Sequence, residues 1–365
     1  MNVEIEQPKK KNIFYRVLFR TPRPGFRADI QAMRALAVIA VVLYHLWPDK
    51  LLTGGFTGVD IFFVISGYLM TLHIVKGLEA GGFEKGKRLR FFANFYARRI
   101  RRLLPAAIFT LLLVLAILVV LLPKDYYTQS LTTAQIIASA LFVQNWKLAA
   151  DKVDYLAQNN EATAVQHFWS LSVEEQFYFI WPLLLMLFML IGLALSAKIG
   201  NKLAEKADLK GYDAKQMKTR NVLRIFVFGF TLLFFIFGVY FTNANAAAAY
   251  FITPARLWEL SIGGCIALST PLIVLLTRKT GELSKFGRVV YEVLPFIGVG
   301  ICLYGIMKFN SGIEAGFPGF YALVPTIGAA IIIWSGMQEN EQRFTLQDVV
   351  DYTEVDGKKT SSSVA

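Results

Sequence analysis

The sequence predicts an all-α, polytopic membrane helix bundle of about eight spans, with one non-spanning segment near residues 134–146. Three observations carry this reading. The 365 residues are 55% hydrophobic and 14% aromatic, and the mean hydropathy of +0.47 is too high for a water-soluble domain. Apolar runs of roughly twenty residues recur along the chain, the length that crosses about 30 Å of hydrocarbon. The Lys and Arg residues gather in alternate segments between those runs, the pattern that orients membrane helices. The net charge of +12 is then cationic anchoring to anionic lipid and not a nucleic-acid surface.

Residues 1–28 form a basic, polar tail. The first span, Asp29 to Pro48, holds Arg34 and His45 in an otherwise apolar run. Eleven helical steps of about 100° return to within roughly 20° of the start, so the two side chains share one face, about 16 Å apart along the axis. Ionisable groups inside a membrane helix are costly, so the pair marks a site unless both are end residues snorkelling to the headgroups. A Gly-rich hairpin, Leu51 to Gly58, leads to a second span over Val59–Val75. A basic stretch ending in Arg98, Arg99, Arg101 and Arg102 precedes the third span, Leu103–Leu122. Further spans are expected at Gln176–Ser196, Leu223–Thr242, Leu257–Leu276, Val289–Met307 and Gly319–Ser335. Residues 197–220 read as a solvated loop helix, and 337–365 as a polar tail.

The charge distribution settles the segment at 134–146. If it does not cross, 28 Lys and Arg lie on one side and 6 on the other. If it crosses, the asymmetry weakens sharply. Eight spans with both termini cytoplasmic follow, the first span acting as its own insertion signal. Cys265 and Cys302 lie in apolar runs and read as buried thiols, with no disulfide framework and no metal site.

This topology sorts the polar residues by depth. His45 and Asp60 meet at the outer side, where a carboxylate can fix the tautomer of an imidazole base; a structural hydrogen bond closing the hairpin is the other reading. Ser66, Gly67 and Tyr68 sit in mid-helix, where small residues allow close packing. The stretch from His167 to Tyr178 concentrates Trp169, Ser170, Glu174 and Glu175, which suits an acceptor or acid–base surface. A serine there can also cap the incoming helix. Arg256 and Glu259, three apart, can pair on one helix face. The arginines at 98–102 suffice as cytoplasmic anchors. Arg99 and Arg102, on one face, also make a phosphate clamp.

These stretches together resemble the acyltransferase 3 family of integral membrane O-acyltransferases. Arg34 and His45 fit its Arg-x10-His helix. Gly58 to Leu69 (GVDIFFVISGYL) is similar to its second-helix motif, and Arg99 to Pro105 (RIRRLLP) to its Arg-x-x-Arg element. Phe168 to Tyr178 (FWSLSVEEQFY) is its most recognisable signature, with Ala255 to Leu260 and Phe317 to Gly319 matching later motifs. The resemblance spans about residues 28–336, so 29–336 is expected to be the acyltransferase domain. It implies transfer of an acyl group, usually acetyl from acetyl-CoA, to a hydroxyl of a cell-surface glycan or related acceptor, in a bacterial cell membrane. It implies Arg34 and His45 as the essential pair and Arg99 and Arg102 as donor-binding residues. His45, Arg34 and Asp60 are therefore the expected catalytic residues. Trp169, Ser170, Glu174, Glu175, Arg256 and Glu259 are the expected acceptor contacts. The family normally continues with two more membrane helices, so a partner protein supplying them is a further expectation. Two readings stand beside this one: a transporter using intramembrane ionisable residues, and a non-catalytic partner subunit.

Overall fold

The computed structural model describes residues 27–47, 50–78, 86–121, 130–151, 163–204, 211–270, 272–277, 284–310 and 316–337. Nearly all of both expected tails, and residues 205–210 of the expected loop helix, lie outside them. The regular elements among the described residues are all helical: α1 (Ala28–Leu46), a 3-10 turn (Gly55–Thr57), α2 (Gly58–Gly77), α3 (Lys87–Leu121), α4 (Ser130–Ala140), α5 (Gln144–Ala150), α6 (Phe168–Ala204), α7 (Gly211–Ala244), α8 (Ala246–Phe251), α9 (Thr253–Leu268), α10 (Leu272–Thr277), α11 (Lys285–Lys308) and α12 (Leu323–Ser335).

Among the described residues, six stretches are long and apolar enough to cross a membrane: α1, the 3-10 turn with α2, α3, α6 through Gly192, α7 from Arg220, and α11. Eight were expected. At the other two positions stand α9, with 16 residues, and α12, with 13. At 1.5 Å per residue these are roughly 24 and 20 Å long, short of a hydrocarbon core of about 30 Å. α9 stops where Ser269 Oγ donates to the Ile266 carbonyl (2.7 Å), just ahead of Pro271, which disfavours helix in the residue before it. The segment at 134–146 divides into α4 and α5, of 11 and 7 residues. Neither is long enough to cross, as expected. Phe142, in the turn between them, takes a left-handed backbone (φ 55°).

The centre of the bundle is α2. Buried residues make up 72% of its most apolar window, against 11% for that of α3, so α2 is enclosed by protein and α3 lies at the periphery. α9 packs closely along α2, and glycines permit the approach. A Cβ on Gly67 would stand 1.7 Å from the Leu260 carbonyl oxygen, and one on Gly263 2.2 Å from that of Val64. The mid-helix glycine expected to favour packing does so here against α9.

α1 buries Ile30, Met33, Ala37 and Ala40 and leaves Arg34 and His45 exposed. Its start is fixed by Arg27. That guanidinium donates to both Asp29 carboxylate oxygens (2.9 and 2.6 Å), to Tyr68 Oη of α2 (3.1 Å) and to the Ile333 carbonyl of α12 (2.8 Å). One side chain thereby ties three helices.

Gly67→Ala is expected to cost about 1–3 kcal/mol, the usual cost of overpacking, seen as a lower Tm of the detergent-solubilised chain. Gly300→Ala, where nothing lies within 4 Å of the added Cβ, should leave Tm near that of the parent.

Candidate functional site

Most of the expected site residues lie on α6 or touch it. The helix starts at Phe168, eight residues before the expected span. Glu174 and Glu175 are therefore about two turns inside the helix and not at its mouth.

His45 comes first along this line. Its Nδ1 lies 2.7 Å from the Val41 carbonyl oxygen, one turn back on α1. A carbonyl only accepts, so this nitrogen is the donor. The ring meets His167 edge-on, with centroids 4.5 Å apart and planes at 87°. Desolvation, and then the adjacent His45, hold the His167 imidazole below the ordinary histidine range, although the residue as a whole keeps an exposed face. The sequence shows His167 in the conspicuous 167–178 stretch, but nothing in it links that residue to His45.

Asp60 does not orient His45. Its Oδ1 accepts from Arg256 Nη2 at 2.5 Å, while Arg256 Nη1 lies 3.0 Å from Glu259 Oε1. The expected Arg256–Glu259 pair forms, with Asp60 as a third member, and all three side chains are 0% exposed. The physical reason is depth. Asp60 lies on the buried side of α2, facing α9, where a guanidinium offers far more to a desolvated carboxylate than a neutral imidazole does. Four aromatic rings surround the guanidinium, those of Phe63, Trp169, Tyr250 and Phe317, at 5.4–5.9 Å. Trp169 is 1% exposed. Trp169, Arg256 and Glu259 are thus packed inside the bundle. Ser170 is half-buried and donates to the His167 carbonyl at 3.3 Å, closing the first turn of α6.

Arg99 and Glu175 meet. Arg99 donates from Nε and Nη2 to the two carboxylate oxygens of Glu175 (3.0 and 2.5 Å), and its guanidinium carbon lies 3.4 Å from the centre of the Tyr178 ring. Tyr178 Oη donates to Glu174 Oε2 (3.0 Å), and the Ser66 hydroxyl bonds to the same cluster. The expected separation, with Arg99 at the cytoplasmic mouth and Glu175 on the outer side, is overturned by this contact. α3 begins at Lys87, so Arg99 lies about three turns into its helix, level with Glu175. The fork that would clasp a phosphate is occupied by the carboxylate. Arg102 is exposed and, among the described residues, has no hydrogen-bond or ion-pair partner.

Gln176 is the hub beside this pair. Its Nε2 donates to the Phe142 carbonyl (2.8 Å) and Asn145 Oδ1 (2.9 Å), and its Oε1 accepts from Trp146 Nε1 (3.0 Å) and Thr253 Oγ1 (2.5 Å). All the bonding capacity of the amide is used, which locks the non-spanning segment onto α6 and α9. A cavity of about 770 Å³ opens there, lined by Arg99, Leu103, Trp146, Glu175, Gln176 and Leu257 among others. Its size is within the range of small-molecule sites.

The model of the acyltransferase 3 family, described as an acyltransferase domain, matches residues 27–352. A protein of Staphylococcus aureus (strain MSSA476), provisionally named an O-acetyltransferase, is 33% identical over 67% of this chain and 35% of its own length. The O-acetyltransferase OatA of S. aureus (strain NCTC 8325 / PS 47) is 29% identical over 77% of this chain and 40% of its own. The chain thus spans between a third and two fifths of the length of these relatives. No solved structure matches.

Arg256→Met strands two carboxylates in the bundle. It should cost about 3–5 kcal/mol, the penalty for removing one side of a buried ion pair, read as a fall in Tm and folded yield. Adding Asp60→Asn and Glu259→Gln should recover part of that loss.

Proposed function

The chain belongs to the acyltransferase 3 family, and from that premise we propose that it transfers an acyl group, acetyl in the first instance, from acyl-CoA to a hydroxyl of a cell-surface glycan or related acceptor. The observation that carries the reading is His45, exposed, with its Nδ1–H held by the Val41 carbonyl, which fixes the orientation of the ring. An oriented imidazole is what a general base for a hydroxyl requires.

The step is written as follows. The acceptor hydroxyl gives its proton to His45 Nε2 as its oxygen bonds to the thioester carbonyl carbon. The C–S bond then breaks, and the sulfur leaves as a thiolate that takes up a proton, giving the ester and free CoA. Arg34, on the same face of α1 about 16 Å along the axis from His45 and without a partner among the described residues, is too far to reach the acceptor oxygen and offers its positive charge to the donor instead. Arg102 offers the donor phosphates an uncommitted guanidinium fork. Arg99, tied to Glu175, acts in this reading by holding the wall of the cavity. Membrane lipid surrounds the bundle, and a bacterial cell membrane is the setting the relatives favour.

The test is CoA release from acetyl-CoA in membranes carrying the chain at matched expression. His45→Ala should lower turnover by about 10²–10⁴-fold, the range of general-base catalysis. Equal turnover in both would remove His45 from the reaction, and acetyl-independent movement of solute would favour a transporter.

A further inference from the structure

The cavity beside Arg99 has a second feature that acyl transfer does not use. Several of its lining side chains also lie on the outer circumference of the bundle: Ile100 is 56% exposed, Leu141 67%, Phe179 63% and Ile180 50%. Its mouth is therefore an apolar ring. With six helices among the described residues apolar enough to cross a membrane, that ring faces hydrocarbon chains and not water.

The mouth is also placed at a defined depth. On α3 the cavity is lined from Tyr96 to Leu104. This segment straddles the change from the arginine-rich part of the helix to the most apolar window among the six candidate spans, with mean hydropathy 3.0. Arg101 stands at this boundary, next to Leu104 around the helix. It is exposed and has no hydrogen-bond or ion-pair partner among the described residues. At the same rim stands Trp146, 43% exposed with its indole N–H bonded to Gln176, an aromatic amphipathic group of the kind that marks a membrane–water boundary.

An apolar recess entered from the side, with an unpaired cation at headgroup level, has the chemistry of one ligand class. We propose that the cavity takes one acyl chain of an anionic phospholipid from the surrounding bilayer, with the lipid phosphate on Arg101. Arg102 lies on the other flank of the cavity face, beside Arg99, and stays available to the donor. The bound chain fills the space behind the Arg99–Glu175 pair and keeps water from it. This site stands whether or not the acyl-transfer reading does, because its test needs no turnover.

The experiment is native mass spectrometry of the purified chain in detergent, with added palmitoyl-oleoyl phosphatidylglycerol or phosphatidylcholine. The expected result is a retained one-lipid adduct that favours phosphatidylglycerol. Arg101→Gln should cut that preference about fivefold, the worth of one cation near an anionic lipid surface. Leu104→Trp, which fills the mouth, should abolish the adduct. Leu113→Trp, the same change at an exposed position elsewhere on α3, should not. An adduct that survives Leu104→Trp, equal retention of the two lipids by the parent chain, or displacement of the lipid by acetyl-CoA would overturn the proposal; the last would give the cavity to the donor.

Discussion

The structure depends on one buried guanidinium. Arg256 is fully enclosed and carries a charge it cannot shed, so the fold has to bring counter-charge to it. Asp60 of α2 and Glu259 of α9 do so, and this fixes the rotation of α2 against α9. The glycines at 67 and 263 fix their separation. The two constraints need each other. Without the glycines the helices would stand too far apart for a 2.5 Å contact, and without the ion pair nothing would select this register from the others that apolar helices allow. The aromatic cage then draws in the remaining elements, since its rings come from α2, α6, α8 and the turn before α12.

α6 takes its place from that cage, through Trp169. Two residues before it, His167 reaches His45; five and six after it, Glu174 and Glu175 meet Tyr178 and Arg99. From His167 to Glu175 is about 12 Å along a helix axis. The two ends of the candidate site are therefore joined by one rigid rod. Groups that hydropathy assigns to opposite membrane faces are thus joined over less than half of a hydrocarbon core of about 30 Å.

The helices were legible in the sequence because hydropathy and charge asymmetry report depth. So was the Arg256–Glu259 pair, because a three-residue spacing on a helix is a short-range fact. What depth cannot report is angle. His45 and Asp60 stand at matching positions along adjacent helices, but Asp60 turns inward to α9 and His45 outward. Arg99 was misplaced for a related reason. Apolar runs underestimate helices that continue through polar residues, and both α3 and α6 start many residues before their apolar stretches. Arg27 counted as one more cationic anchor, yet it is the staple of α1; its use of the Tyr68 hydroxyl and the Ile333 carbonyl depends on helices that are remote in sequence. The two short helices, α9 and α12, read as spans because their flanks are apolar, although α9 is packed against α2 and α7 and meets little but protein.

The way His45 is held bears on how it would act. A carboxylate partner would both orient an imidazole and stabilise it once protonated, whereas the Val41 carbonyl orients it with only a dipole. His167 adds no charge, since desolvation and His45 itself oppose its protonation. The charged cluster of Asp60, Arg256 and Glu259 is held inside the bundle, away from the exposed His45. The same separation leaves the residues that hold the fold buried and His45 at the surface.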